Sequence, residues 1–204
     1  MFTKKQFSEF FTTFFYIGKI KYCPGTFASI ASFPVTYCLM YFIVHHKIII
    51  PFASLTLAEA QLVSIFIINF IICLILLMLG IYFTKIYLNY TNLEDPKEVV
   101  IDEVVGQMLT IVLVFFSALF ANESHLIKYY SQLTRNIILL FILPFCLFRF
   151  FDIVKPWPIN WFDKNIKGSI GVMLDDLLAA IFAAITQYAI IFVLIDIDNR
   201  LEIL

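Results

Sequence analysis

The chain has 204 residues, 62% of them apolar and 14% charged, with a net charge of −1. Soluble domains carry about 25% charged residues, so this composition excludes an ordinary soluble enzyme. The near-zero net charge gives no electrostatic footing for nucleic acid. The expectation is one membrane-embedded domain spanning 1–204.

Residues 1–25 interleave Lys4, Lys5, Glu9, Lys19 and Lys21 with aromatics and contain no uninterrupted apolar core. That pattern predicts an amphipathic segment at the membrane surface rather than a cleaved leader. Pro24-Gly25-Thr26 follows, a turn that can present free amides and a hydroxyl to an anion at a helix start. Five apolar segments then suit helices: Phe27–Val44, Leu62–Tyr82, Val104–Ala121, Ile137–Phe148 and Leu177–Ile195. Spanning takes about 20 residues, which the second and fifth segments satisfy. The fourth is short enough to be a buried helix that never crosses. Cys38, Cys73 and Cys146 sit in apolar runs as small hydrophobes, and no Cys/His spacing suggests zinc.

If all five segments cross, Lys4, Lys5, Lys19, Lys21, Lys85, Lys97, Arg149, Lys155, Lys164 and Lys167 share one side. Lys47, Lys128, Arg135 and Arg200 take the other, a ratio of ten to four. The positive-inside rule puts the first group in the cytoplasm. The tracts Gly18–Thr26, Asp95–Glu103 and Arg149–Asp176 then all face that side and can converge on one site.

Those tracts hold the chemistry. Asp102-Glu103 opens an apolar helix, where Asp102 suits an N-cap or, with Glu103, a cation ligand. Asp152 lies between Arg149 and Lys155 at a helix end that Pro156 enforces, an arrangement that a local salt-bridge ladder would also explain. Pro156-Trp157-Pro158 and Trp161 suit the headgroup region as anchors. Gly168-Ser169-Ile170-Gly171 reads as a flexible loop entering a helix that starts near Asp175-Asp176. One of these acids would bind metal while the other orients it or caps the helix. Hard oxygen donors beside cations favour Mg²⁺ and phosphoryl chemistry. His45, His46 and His125 fall outside these tracts, and Asp196-Ile197-Asp198 reads as a polar tail.

Pro24-Gly25-Thr26, Ile101-Asp102-Glu103-Val104-Val105-Gly106, the run Arg149–Ile159, Asp163, and Gly168 through Asp176 together resemble the phosphatidylglycerophosphatase A family, in its order and over nearly the whole chain. Small departures are Gly168-Ser169, where the family usually has paired glycines, and Cys23 before Pro24. The resemblance implies an all-α, multi-helix membrane bundle with about five apolar helices and cytoplasmic active-site loops. It implies a multi-pass protein of the bacterial inner membrane that hydrolyses phosphatidylglycerophosphate to phosphatidylglycerol and inorganic phosphate with Mg²⁺. The residues expected to carry this are Asp102, Glu103, Asp152, Asp175 and Asp176 for metal and catalysis, with Arg149, Lys155, Gly25 and Thr26 on the substrate phosphate. The partners expected are the phospholipid and the membrane, with no nucleic acid and with a homo-oligomer left open. The alternative is a transporter or assembly protein that uses interfacial acids for cation or proton binding. Its signature would be acids inside spans at the bilayer midplane.

Overall fold

Helix α4, Ile101–Val114, is the axis of the structure: eleven of its 14 residues are buried. A helix apolar on all faces must be enclosed by other helices or by lipid, and here it is enclosed by helices. The computed structural model describes residues 3–52, 54–93, 96–117 and 131–201. Among these residues every regular element is helical. Around α4 pack α2 (Pro24–His45), α3 (Leu57–Thr91), α6 (Leu143–Val154) and α8 (Gly168–Leu201). The remaining elements are α1 (Lys4–Thr12), a 3₁₀ turn (Ile17–Lys19), α5 (Gln132–Ile137), a π turn (Ile138–Ile142) joining α5 to α6, and α7 (Ile159–Asn165).

All five apolar segments form helices, the third only as far as Val114, and four helices are long and apolar enough to cross a membrane: Pro24–His45, Leu57–Thr91, Leu133–Val154 and Gly168–Arg200. The fourth segment, expected to be the short one, is among them. The third is the exception. Its α4 portion of 14 residues rises about 21 Å, against about 30 Å of hydrocarbon. Residues 118–121 of that segment lie outside the described residues. Uniform apolarity suits burial in a bundle as well as contact with lipid, so the sequence pattern did not separate the two.

Lipid is as apolar as leucine, so helices associate in a membrane through close packing rather than by expelling water. The contact faces are accordingly built of small residues. Ala28, Ser29, Ser32 and Thr36 are buried on α2, and Ala179, Ala180, Ala183 and Ala184 on α8. On α4, a Cβ added to Gly106 would meet the Phe148 ring at 2.7 Å and the Asp176 Cβ at 3.2 Å. Phe148 is itself fully buried, so the absent side chain lets α6 and α8 both close on α4.

The N-terminal segment docks on the end of α3. Thr3 and Gln6 form a capping box for α1, and Phe7 and Phe11 pack on Phe83 with ring centroids 5.1 and 4.8 Å apart. The Val100 amide donates to the Thr12 carbonyl at 3.0 Å, and Tyr87 bonds Glu98. These contacts fix the turn that leads into Asp102.

Overpacking a filled core costs about 1–3 kcal/mol. Gly106→Val should therefore lower the thermal unfolding midpoint of the detergent-purified protein. An unchanged midpoint would show that the α4–α6 contact is not the tight joint described.

Candidate active site

At one end of the bundle the starts of α2, α4 and α8 meet the end of α6 around a pocket of about 500 Å³. Every residue expected to act lines it: Gly25, Thr26, Asp102, Glu103, Arg149, Asp152, Lys155, Asp175 and Asp176. The three tracts, separated by up to about 150 positions, thus meet at one end of the bundle.

The acids do not play equal parts. Asp102, Glu103 and Asp176 each offer a carboxylate oxygen within 4.8 Å of the others. Asp102 is not the N-cap, a place taken by Val100. It sits in the first turn of α4, where the helix dipole favours negative charge, and its Oδ1 accepts the Glu103 amide at 3.0 Å. Asp175 and Asp176 are not at a helix start either. The residues Gly168–Gly171, read as a loop, are the first turn of α8, which puts both acids about two turns in and removes capping as their reason. Packing of α8 on α4, α6 and α7 outweighs the weak helix propensity of its two glycines.

Asp152 and Asp175 are held by cations. Arg149 pairs with Asp152 and Lys155 with Asp175. Lys155 does not continue the expected ladder along α6. It ends that helix in the left-handed region at φ 44° and reaches instead to Asp175 and, at 2.8 Å, to Asp163. Burial alone would lower the Lys155 ammonium, but hydrogen bonds to Asp163 and Asp175 outweigh it and raise it above its usual range.

Charge and hydrogen bonding both point to a cation. Six carboxylates and four cationic side chains line the pocket, a formal charge of −2. Glu103 Oε2, Asp175 Oδ1 and Asp176 Oδ2 are buried without a hydrogen-bond partner. Leaving such oxygens unsatisfied costs more than ordinary polar burial, and a divalent cation would satisfy them and cancel the charge. Burial first, and then the charges of Glu103, Asp176 and Asp175, push Asp102 well above the usual carboxylate range. Burial is also the main cause of the raised Glu103, added to by Asp152 and eased by Arg149.

Gly25 has a role beyond the turn. A Cβ there would lie 2.0 Å from Glu103 Oε1, so the glycine makes room for that carboxylate. The Thr26 and Phe27 amides close on the Cys23 carbonyl at 3.1 and 3.3 Å.

Four contributors were assigned no role from the sequence, although Asp163 was among the residues that carry the resemblance. Asp163 is brought back to Lys155 by the Pro156-Trp157-Pro158 reversal, a cue the sequence did contain. Ser29, whose hydroxyl lies 3.5 Å from Arg149 Nη1, is 120 positions away from it in the chain. Lys97 and Lys167 line the pocket rim. The other polar candidates lie elsewhere. His45 and His46 end α2 at its far end, and His125 is outside the described residues. Asp196 pairs with Arg200 at 2.9 Å, about 30 Å along α8 from Asp176, and Asp198 is buried in the same helix.

Fold and site together define an all-helical membrane protein with a carboxylate-rich pocket, flanked by cationic side chains, at one end of its bundle. The sequence profile described as Phosphatidylglycerophosphatase A matches residues 10–191. The chain belongs to the phosphatidylglycerophosphatase A family. A protein of that name from Haemophilus influenzae is 56% identical over 46 residues, covering 22% of this chain and 28% of that protein. Its Escherichia coli namesake is 26% identical over 167 residues, covering 82% of this chain and 73% of that protein. A Bacteroides thetaiotaomicron protein, provisionally named a phosphatidylinositol-3-phosphatase, is 37% identical over 92 residues, covering 45% of this chain and 46% of that protein. No solved structure matches the chain.

Two outcomes follow from this geometry. Because the folded values of Asp102 and Glu103 are raised, their contribution to stability is fully present below the ordinary carboxylate range and is lost as pH rises through the raised values. A divalent cation binds the deprotonated cluster, so the thermal midpoint should rise more on adding cation at about pH 8 than at about pH 5. An equal shift at both pH values would contradict the cluster. Gly25→Ala should displace Glu103 and weaken cation stabilisation by about 10–100-fold in affinity, the range seen when a ligand's support is disturbed. Wild-type affinity in that variant would contradict the close approach.

Proposed function

We propose that the protein is a Mg²⁺-dependent lipid phosphatase, a single domain over 1–204, that hydrolyses phosphatidylglycerophosphate to phosphatidylglycerol and inorganic phosphate. The observation that carries this reading is the meeting of Asp102, Glu103 and Asp176, with unpartnered buried oxygens, beside Arg149 and Lys155 at the bundle end. Asp102, Glu103 and Asp176, whose carboxylate oxygens lie within 4.8 Å of one another, would hold the Mg²⁺. Bound there, Mg²⁺ supplies charge neutralisation at the phosphoryl oxygens and a more acidic water.

The chain's own residues do the rest. Asp102, Glu103 and Asp176 hold the cation, while Asp152 and Asp175 stay anchored by Arg149 and Lys155. The remaining N–H groups of Arg149 offer a fork to the phosphate and Lys155 a point charge. The Gly25 amide and the Thr26 hydroxyl complete the anion site. A water oxygen forms the new bond to phosphorus as the bond to the terminal glycerol oxygen breaks. The water's proton passes to a pocket carboxylate, and the glycerol oxygen takes up a proton.

A cytoplasmic side for the pocket is supported by the ten-to-four bias in positive residues, counted with all five segments running end to end. The pocket faces the cytoplasm of a bacterial inner membrane, and the substrate's acyl chains stay in the leaflet. Against the transporter alternative, the acids cluster at one end of the helices and not at their midpoints.

Purified protein in mixed micelles should release phosphate from phosphatidylglycerophosphate only with Mg²⁺. No release by folded protein, or faster release from a 3-phosphorylated inositol lipid, would overturn the substrate assignment. Asp176→Asn and Asp152→Asn should each lower kcat by about a hundredfold or more, the scale of removing one preorganised electrostatic partner. Wild-type turnover in both variants would remove these residues from the site.

A further inference from the structure

The seam between α2 and α6 links the polar pocket to the lipid-facing surface. Down α2 from the pocket, Thr26, Ser29, Phe33 and Tyr37 recur at helical spacing on one face. Down α6 and into the π turn, Asp152, Arg149, Phe145 and Phe141 do the same. The two stripes touch along their length. Arg149 Nη1 is 3.5 Å from the Ser29 hydroxyl, Phe33 lies 6.2 Å from Phe145 and 5.2 Å from Phe141, and Tyr37 lies 4.9 Å from Phe141 between ring centroids. Charge gives way to aromatic surface within two turns.

At the aromatic level a shallow cleft of about 40 Å³ opens, walled by Phe33, Tyr37 and Met40 on one side and Phe141 on the other, with Ile111 of α4 at its floor. Both walls are irregular at this depth. Pro34 removes the amide that would bond the Ile30 carbonyl. On the other wall the π turn Ile138–Ile142 is held from α8: buried Gln187 donates to the Leu139 carbonyl at 2.7 Å and to the Ser117 hydroxyl at 2.9 Å. Isolated π turns recur at functional positions.

Depth identifies an occupant. Phe33 to Met40 lie seven to fourteen residues beyond Thr26, about 10–21 Å along α2. In a phosphorylated glycerophosphoglycerol headgroup, roughly eleven bonds separate the terminal phosphorus from the first acyl carbonyl. At about 1.3 Å of extension per bond that is about 14 Å, within the cleft's span.

We propose that the α2–α6 seam is the acyl-chain subsite of the lipid substrate. One chain lies against Phe33, Tyr37 and Phe141 while the headgroup reaches the pocket, most of the chain remaining in lipid because a cleft of about 40 Å³ holds only a small part of it. This rests on the lipid-phosphatase reading above. The exposed faces of α3 are equally apolar, but α3 contributes no residue to the pocket, so lipid lying there leads to no phosphate site.

The test compares diacyl phosphatidylglycerophosphate with its deacylated, water-soluble counterpart as substrates of the full-length protein. Met40→Trp, which fills the cleft, should raise KM for the diacyl lipid about tenfold and leave the deacylated compound unchanged. Phe141→Ala, which opens the cleft, should shift the preference among acyl-chain lengths. Ile75→Trp, on the exposed face of α3, should change neither. Should Met40→Trp fail to fold, or the wild type reject the deacylated compound, the chain-length profile of Phe141→Ala decides. An unchanged profile, or equal losses on both substrates, overturns the subsite. A wild type inactive on both substrates overturns the phosphatase reading and the subsite with it.

Discussion

Mutual repulsion among carboxylates governs this molecule. Six of them line one pocket, and the four cationic side chains there leave a charge of −2. Two acids, Asp152 and Asp175, are neutralised locally by Arg149 and Lys155. The remaining oxygens of Glu103 and Asp176 point into a region where no protein donor meets them. A frame that holds like charges together needs stiffness from elsewhere, because each buried charge favours opening the site to water.

The bundle supplies that stiffness through α4. Its enclosure by four helices, and the bare Gly106 backbone under Phe148 and Asp176, fix Asp102 and Glu103 relative to Asp176 through packing rather than through bonds within the site. Helix ends contribute unequally. The first turn of α4 favours its two acids, whereas Asp152 lies near the C-terminus of α6, where the dipole opposes a carboxylate. Arg149, three residues earlier on the same face, offsets that cost. The pair is therefore part of the helix's own stability as well as of the site, which explains a guanidinium committed to an acid there.

Much of this was legible in the chain. Apolar run length marked all five helices, and the alternation of polar tracts forecast their convergence. The family resemblance covered residues that do line one pocket. What stayed hidden depended on contacts distant in sequence. The apolar pattern of α4 looks the same whether lipid or protein surrounds it, so its central position emerged only from packing. Lys155 could be paired with Asp152 by helical spacing, but its left-handed backbone turns it toward Asp163 and Asp175. The start of α8 at Gly168 ran against the propensity of its glycines. The π turn depends on Gln187, 48 residues from the carbonyl it bonds, and no local signal announces it.

The proposed chemistry requires Asp102, Glu103 and Asp176 to hold one cation. Anomalous diffraction from crystals of the full-length protein grown with Mn²⁺ in place of Mg²⁺ addresses that directly. A manganese peak bounded by Asp102, Glu103 and Asp176 is the expected result. A strongest peak elsewhere on the molecule, or none in protein that shows cation-dependent turnover, would contradict it.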